Sequence, residues 1–231
     1  MPNRKQLPWL SFDCYDTLIR YSENKASRLE KLVRIKGGDN GAIVSAQETF
    51  AARERAMQAG AFRLLNEILR ESLNDALNAV DLTCTAEDEE AMIDAVRTAP
   101  PFADVSAALN DLRRHFRLAV LSNSEPDIIR HSMIRIGVGM DAIVLASDAK
   151  CYKPAPGMFD KLLSRIGTPA ADVTHVAQSF YHDIRPAKDK GFGRRIWINR
   201  YGRQGDNAYT PDNELPNLAA LPHALIAPIE P

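Results

Sequence analysis

The sequence predicts an α/β fold, a doubly wound parallel sheet with a helical segment inserted behind its first strand. Two observations carry this. Past residue 100, short apolar runs alternate with amphipathic segments, the pattern of strands joined by crossover helices. Ahead of that alternation, one isolated apolar run near the N-terminus is set apart from it by a long stretch of helical character.

Trp9, Leu10, Ser11 and Phe12 form a short run rich in strand formers, which delivers Asp13 at its end. From 20 to 97 Ala, Leu, Glu and Arg dominate, and Leu64, Leu65, Ile68, Leu69, Leu73 and Leu77 recur at helical spacing. Pro100 and Pro101 close the insertion. Val105, Leu109 and Leu112 then mark a helix leading into an apolar strand over 116–123 that ends on Ser122 and Asn123. A helix over 126–136, a strand over 142–146, a helix over 156–166, a strand over 173–177, a helix over 184–190 and a strand over 195–198 follow. The tail, 201–231, is rich in Pro, Asn and Asp and is expected to wrap the surface with one short helix near 218–225. This divides the chain into a Rossmann-like core, 1–19 and 99–231, and a helical cap, 20–98. Open parallel sheets bind ligands at the carboxyl ends of their strands, and those ends carry Asp13, Ser122 with Asn123, and the loop from Gln178 to Asp183.

Composition narrows the function classes. A chain of 231 residues with 45% hydrophobic and 26% charged residues and a net charge of −1 can bury a core and reads as an ordinary globular protein. There is no basic excess to suggest nucleic acid, so a small molecule is the expected partner, and a homodimer is left open. No run approaches the roughly 18 apolar residues of a membrane span, and the N-terminus lacks the pattern of a secretory leader. Cys14, Cys84 and Cys151 are odd in number and widely spaced, which argues against a disulfide framework or zinc set and for a reducing, cytoplasmic setting.

The strand ends supply a coherent chemistry. A carboxylate held free of competing hydrogen bonds, as Asp13 is placed to be, is a competent covalent nucleophile. Lys153, in a loop before Pro154, would set an ammonium beside it and keep it ionised. Ser122 and Asn123 could donate to the Asp13 carboxylate or to a substrate carboxylate, and Thr17 could donate to Asp13 or cap the next segment.

Asp13-Cys14-Tyr15-Asp16-Thr17-Leu18, Leu121-Ser122-Asn123, Tyr152-Lys153-Pro154 and Gln178-Ser179-Phe180-Tyr181-His182-Asp183 stand in the order and at roughly the separations of the four motifs of the haloacid dehalogenase superfamily. The chain resembles that family over essentially its whole length, and within it the (S)-2-haloacid dehalogenase branch. The resemblance implies an Asp13 ester intermediate, with Asp183 either positioning the hydrolytic water or anchoring Lys153. It also implies an arginine of the cap, Arg53 or Arg55, for the leaving halide and the substrate carboxylate. Phosphatases of the family usually carry an aspartate two residues after the nucleophile to protonate the leaving alkoxide, and here that position is Tyr15. They also commonly place an acidic magnesium ligand where Gln178 stands. A halide leaves without a proton, so both changes favour a cofactor-free enzyme.

The chain departs from the dehalogenases as well, at Asp16, Phe159, Gln178 and Phe180. Its fourth motif resembles that of L-azetidine-2-carboxylate hydrolases, which open a strained ring at a carbon–nitrogen bond; there His182 or Tyr15 could protonate the amine. The expected function is therefore hydrolysis of a carbon–halogen or activated carbon–nitrogen bond in a small 2-substituted carboxylic acid. Tyr15, Arg53, Arg55, Gln178, Phe180 and His182 are the expected substrate contacts. The competing readings are a magnesium-dependent phosphatase of small phosphate monoesters and a binding protein without turnover.

Overall fold

The structure, a computed structural model, describes residues 4–226; residues 1–3 of the N-terminal segment and 227–231 of the tail lie outside it. Strand β1 (Trp9–Phe12) is buried along its whole length and pairs in parallel with β2 (Arg117–Ser122) on one side and β4 (Val173–Ala177) on the other. With β3 (Ala142–Leu145), β5 (Arg194–Ile198) and β6 (Asn213–Leu215) it forms a six-stranded parallel sheet of order β3-β2-β1-β4-β5-β6. The chain winds outward from β1 through β2 to β3, then returns to start again at β4 on the other side. The reversal falls at β1, where a doubly wound sheet opens its ligand crevice.

Alternate side chains of the strands serve two cores, as a sheet covered on both faces requires. Leu10, Phe12, Leu118, Val120, Val176 and Ile196 pack against the helix α5 (Val105–Leu112) and its neighbours. Trp9, Ala119, Leu121 and Val144 face the other way, toward α8 (Pro156–Ile166). Helices α6 (Pro126–Ile136) and α8 both start on proline, whose fixed φ suits the first helical turn. Both end at a glycine in the left-handed region, Gly137 at φ 69° and Gly167 at φ 63°.

Between β1 and α5 lie four helices, α1 (Tyr21–Ile35), α2 (Asn40–Ala59), α3 (Leu65–Asn78) and α4 (Ala86–Thr98). They share a hydrophobic cluster built from Leu29, Val33, Phe50, Leu69, Leu73 and Ile93, among others, which also takes in Ile128 of α6. The leucine periodicity of the sequence is the buried face of α3; only Leu64, just before the helix, is exposed. Asp39 caps α2, and Thr85 with Asp88 forms a capping box on α4.

Four elements differ from expectation. The tail does not merely wrap: Asn213–Leu215 adds a sixth strand, in register Ile196↔Asn213 to Ile198↔Leu215. An edge strand needs only backbone bonding on one side, so this short polar run carries no apolar period to announce it. The tail helix α10 (Leu221–Ile226) starts three residues later than expected, with Leu218 buried ahead of it. After β3 the chain enters a short helix α7 (Ala146–Ala149), and the loop after β4 is a π-helical turn over Phe180–Ile184 that runs into α9 (Arg185–Asp189). In that turn both the Asp183 and Ile184 amides bond the Ser179 carbonyl, at 3.2 and 3.3 Å. Such single turns recur at functional sites because they re-aim a side chain inward.

Candidate active site

The last residue of β1 passes directly into a tight turn. Asp16 adopts φ 62°, and the Leu18 and Ile19 amides both close on the Cys14 carbonyl. The turn folds Thr17 back so that its Oγ1 donates to Asp13 Oδ2 at 2.6 Å. The same hydroxyl accepts from the Gln178 amide at 2.8 Å, tying the β1 turn to the end of β4. Arg200 braces it from outside, donating to the Thr17 carbonyl at 2.9 Å and pairing with Asp104 at 2.9 Å. The Asp16 carboxylate turns toward α1, where it accepts from the Ser22 amide at 2.9 Å and from the Ser22 hydroxyl.

Lys153 reaches the same point from the loop before α8. Its Nζ donates to Asp13 Oδ1 at 2.7 Å, Asp183 Oδ1 at 2.7 Å and the Leu121 carbonyl at 3.0 Å, using all three donors. Asp13 is 5% exposed, Lys153 2% and Asp183 0%. Burial at this depth would be costly for a lone charge; here one ammonium bridges two carboxylates. Burial pushes the Asp13 carboxyl above its ordinary value, against the opposing pull of Lys153. Burial also raises Asp183, but Lys153 and the His175 hydrogen bond outweigh it and hold this carboxyl below the usual range. For Lys153 the two carboxylates overcome burial and raise its pKa, so it stays protonated.

Behind Asp183 stands His175, fully buried on β4, with Nε2 3.0 Å from Asp183 Oδ1 and Nδ1 2.8 Å from Ser11 Oγ. A carboxylate only accepts, so Nε2 carries a proton toward Asp183, while the Ser11 hydroxyl lies between Nδ1 and the Thr174 carbonyl, 3.3 Å away. Asp183 Oδ2 is buried with no partner among the described residues.

Asp13, Tyr15, Asn123, Gln178 and Asp183 share a cavity of about 330 Å³ with Tyr21, Lys25, Glu54, Arg55 and Gln58 from α1 and α2. The inserted helices therefore lie over the strand ends. A larger cavity of about 660 Å³ adjoins it, sharing Arg55, Gln58, Lys153 and His182 and bounded further out by Phe62, Lys150 and Tyr152. Burial raises the Tyr15 phenol well above its ordinary value, and its Oη lies 2.7 Å from Ser124 Oγ. Burial lowers the His182 pKa, which leaves a neutral ring, with Nδ1 2.9 Å from Ser179 Oγ.

Four residues expected at the site serve differently. Asn123 does not meet the Asp13 carboxylate; it clamps the Lys153 backbone, accepting from its amide at 2.6 Å and donating to its carbonyl at 3.1 Å. Ser122 Oγ is buried without a partner among the described residues, because the residue ending a strand points into a covered face. Phe180 packs against Trp197, rings 4.9 Å apart, and does not line the cavity. Arg53 points outward on α2 and pairs with Asp75. The residue next to it, Glu54, faces the cavity instead. The signal was present in the helical phase. Ile43, Ala46 and Phe50 form the buried stripe of α2, and its next step is Glu54.

A model of the haloacid dehalogenase-like hydrolase family matches residues 9–191. Among curated proteins, the chain is 28% identical over 160 residues to phosphoserine phosphatase of Thermus thermophilus, covering 68% of this chain and 62% of that one. It is 31% identical over 102 residues to mouse N-acylneuraminate-9-phosphatase, covering 43% of this chain and 41% of that one. Both matches span less than two thirds of the relative. Among solved structures, L-2-haloacid dehalogenase of Xanthobacter autotrophicus superposes with a TM-score of 0.82 at 18% identity, over 96% of this chain and 100% of that one. A magnesium-bound HAD-hydrolase, YfnB, of Bacillus subtilis superposes with a TM-score of 0.81 at 18% identity, over 95% and 99%. At these identities the likeness of structure speaks for the fold.

Proposed function

The chain belongs to the haloacid dehalogenase-like hydrolases, and within that family we propose that it cleaves a carbon–halogen or activated carbon–nitrogen bond of a small 2-substituted carboxylic acid through an ester on Asp13. One observation carries this reading. Asp13 is oriented on both carboxylate oxygens by Lys153 and Thr17, while the position two residues on, where a phosphatase keeps its proton donor, holds a tyrosine bonded to Ser124. Asp13 attacks the substituted carbon, and the leaving group departs with the bonding pair. Water then attacks the ester carbonyl, restoring the carboxylate and releasing a 2-hydroxy acid. Asp183, with its carboxyl held low, is a weak base; its part is to anchor Lys153 and to offer Oδ2 to the water. Asn123 fixes the Lys153 backbone, Arg55 faces the substrate carboxylate, and the segment 20–98 is the lid of the site over a core of 1–19 and 99–231.

The donor set for magnesium is thin. Asp13 and Asp183 already share Lys153, Gln178 stands at the wall, and among the described residues no group of three or more His, Cys, Asp or Glu is arranged to hold a metal. We therefore route no step through a metal. The phosphatase reading is favoured by the two curated relatives and by the unpartnered Asp183 Oδ2.

Tyr15→Asp separates the two. On the dehalogenase-like reading a second carboxylate beside Asp13 raises the pKa of one of the pair, and turnover of an anionic substrate falls by roughly tenfold or more. A phosphatase would gain a general acid, worth roughly 10²-fold or more in magnesium-dependent hydrolysis of phosphate monoesters. The measurement is turnover of 2-haloacids, azetidine-2-carboxylate and phosphate monoesters by parent and variant, each with magnesium and with a chelator. A gain confined to phosphate esters would overturn the proposal.

The raised Asp13 carboxyl has its own consequence. The acid limb of kcat/KM should lie above the ordinary carboxylate range, with activity present above it and lost as Asp13 takes up a proton on acidification. Thr17→Val removes a hydrogen bond that favours the charged form, so the limb moves to higher pH, and kcat/KM at pH 7 falls by roughly tenfold. A limb that stays in place in Thr17→Val would take Asp13 out of the profile.

A further inference from the structure

Each carboxylate in the wall of the cavity that holds Asp13 is already engaged. Asp13 and Asp183 share Lys153, and Asp16 spends both oxygens on Ser22. Glu54 is buried, pairs with Lys25 and accepts from Tyr21 Oη at 3.0 Å. Two cations of the same wall stand outside this pairing. Arg55 on α2 and Arg203 in the loop after β5 are both exposed, and neither guanidinium makes a hydrogen bond or ion pair among the described residues. The loop nevertheless fixes where Arg203 stands. Asn199, buried at the end of β5, accepts from the Arg203 amide at 2.8 Å and donates to its carbonyl at 2.8 Å, and is tied in turn to Glu214 at 2.6 Å. Gly202, at φ 58°, makes the turn just before it. Asn123 clamps Lys153 in the same way, one asparagine side chain holding the amide and carbonyl of one residue. The Arg203 guanidinium lies over the Tyr201 ring, 5.2 Å from its centroid. An arginine with its backbone already ordered loses less entropy when it takes a ligand.

Building on the covalent reading above, we propose that the substrate is a dicarboxylic acid, with its 2-carboxylate on Arg55 and a second carboxylate, further along the chain, on Arg203. Planar guanidinium and carboxylate match in geometry, and each arginine offers a paired set of donors. Asp13 approaches as an anion, so a substrate carboxylate left bare would repel it. A guanidinium on each of the two removes that repulsion. A chain ending in a methyl group leaves Arg203 without a partner, and this is what separates a dicarboxylate from a monocarboxylate of the same length. Arg55 belongs to the inserted helices and Arg203 to the core, so a substrate held by both also favours the state in which the segment 20–98 lies closed on the strand ends. The bonds made and broken at Asp13 are those of the covalent reading.

The test uses ligands that do not react. Succinate is compared with butyrate and glutarate with pentanoate, pairs in which a methyl replaces one carboxylate, by calorimetric titration of the full chain at low ionic strength. At least one dicarboxylate should bind about tenfold or more tighter than its match, the scale of a hydrogen bond between charged groups. Arg203→Gln should bring that pair within about threefold while the monocarboxylate keeps its affinity, whereas Arg55→Gln should weaken both members of the pair alike. Both side chains are exposed, so neither variant disturbs the core. Equal affinities within both pairs in the parent, no binding of any of the four, or a preference that survives Arg203→Gln overturns the proposal. Inorganic phosphate is the fifth ligand. Binding tighter than either dicarboxylate, and lost in both arginine variants, would assign the two guanidiniums to a phosphoryl group and overturn it as well. No covalent step is involved, so failure here leaves the role of Asp13 to its own test.

Discussion

Asp13→Asn is expected to abolish turnover, with kcat falling by roughly 10⁴-fold or more, the scale seen when a covalent nucleophile is removed. An amide cannot form the ester, and the other carboxylate at this point, Asp183, spends Oδ1 on Lys153 and His175 and is fully buried. The fold should survive, since the amide keeps the shape of the carboxylate and one acceptor oxygen for Lys153, with its NH2 turned to the Thr17 hydroxyl oxygen. Labelled water gives a sharper version. In a single turnover the label should appear on the Asp13 carboxylate, read by mass spectrometry of the peptide, and reach product only in later turnovers. Label in product at the first turnover means direct attack by water and removes Asp13 from the covalent role.

The parts of this protein that were legible in the sequence are those in which local pattern and global position agree. Five of the six strands announced themselves because a parallel strand covered on both faces must be nearly all apolar. Helices α6 and α8 were bounded to the residue by proline at one end and by loss of the apolar period at the other. Strand β6 was invisible because its pairing is made by backbone. The cluster of Asp13, Thr17, Lys153 and Asp183 was legible because these residues stand in the order and at roughly the separations of the four motifs of the family that the chain resembles. Its supports were not. His175 looks like one more strand residue and Arg200 like one more surface cation; each is defined by what it touches across the sheet. On α2 charge pointed to Arg53 and Arg55 alike; Arg55 lines the cavity, whereas Arg53 lies off the buried stripe Ile43, Ala46, Phe50, Glu54 and pairs with Asp75.

Lys153→Met should separate the electrostatic role of the lysine from its place in the core, because methionine keeps the stem and removes the ammonium. Two buried carboxylates would then face each other with no cation between them. Leaving such a partner uncompensated costs about 3–5 kcal/mol, so the variant should be less stable than the parent by that order at pH 7. The sign of the pH dependence follows from the groups themselves. In the parent, Lys153 opposes the rise of Asp13 and holds Asp183 low; a depressed carboxyl contributes stability above its unfolded value that is lost on acidification. In the variant that pull is gone, both carboxyls rise above their unfolded values, and their penalty is absent at low pH and grows as pH rises. The two stability curves should therefore converge on acidification and diverge toward neutrality, as read by urea unfolding between pH 4 and pH 8, pH values set by roughly the span over which carboxylates titrate. Turnover at pH 7 should drop on the order of 10²–10³-fold, since the surviving Asp13 is either protonated or misaligned. Lys153→Arg should not restore it, because a planar fork cannot direct three donors at Asp13, Asp183 and the Leu121 carbonyl from a slot that is 2% exposed. Parallel stability curves would show that the Lys153 ammonium is dispensable to the ionisation of Asp13 and Asp183, and would leave the nucleophile without its counter-ion.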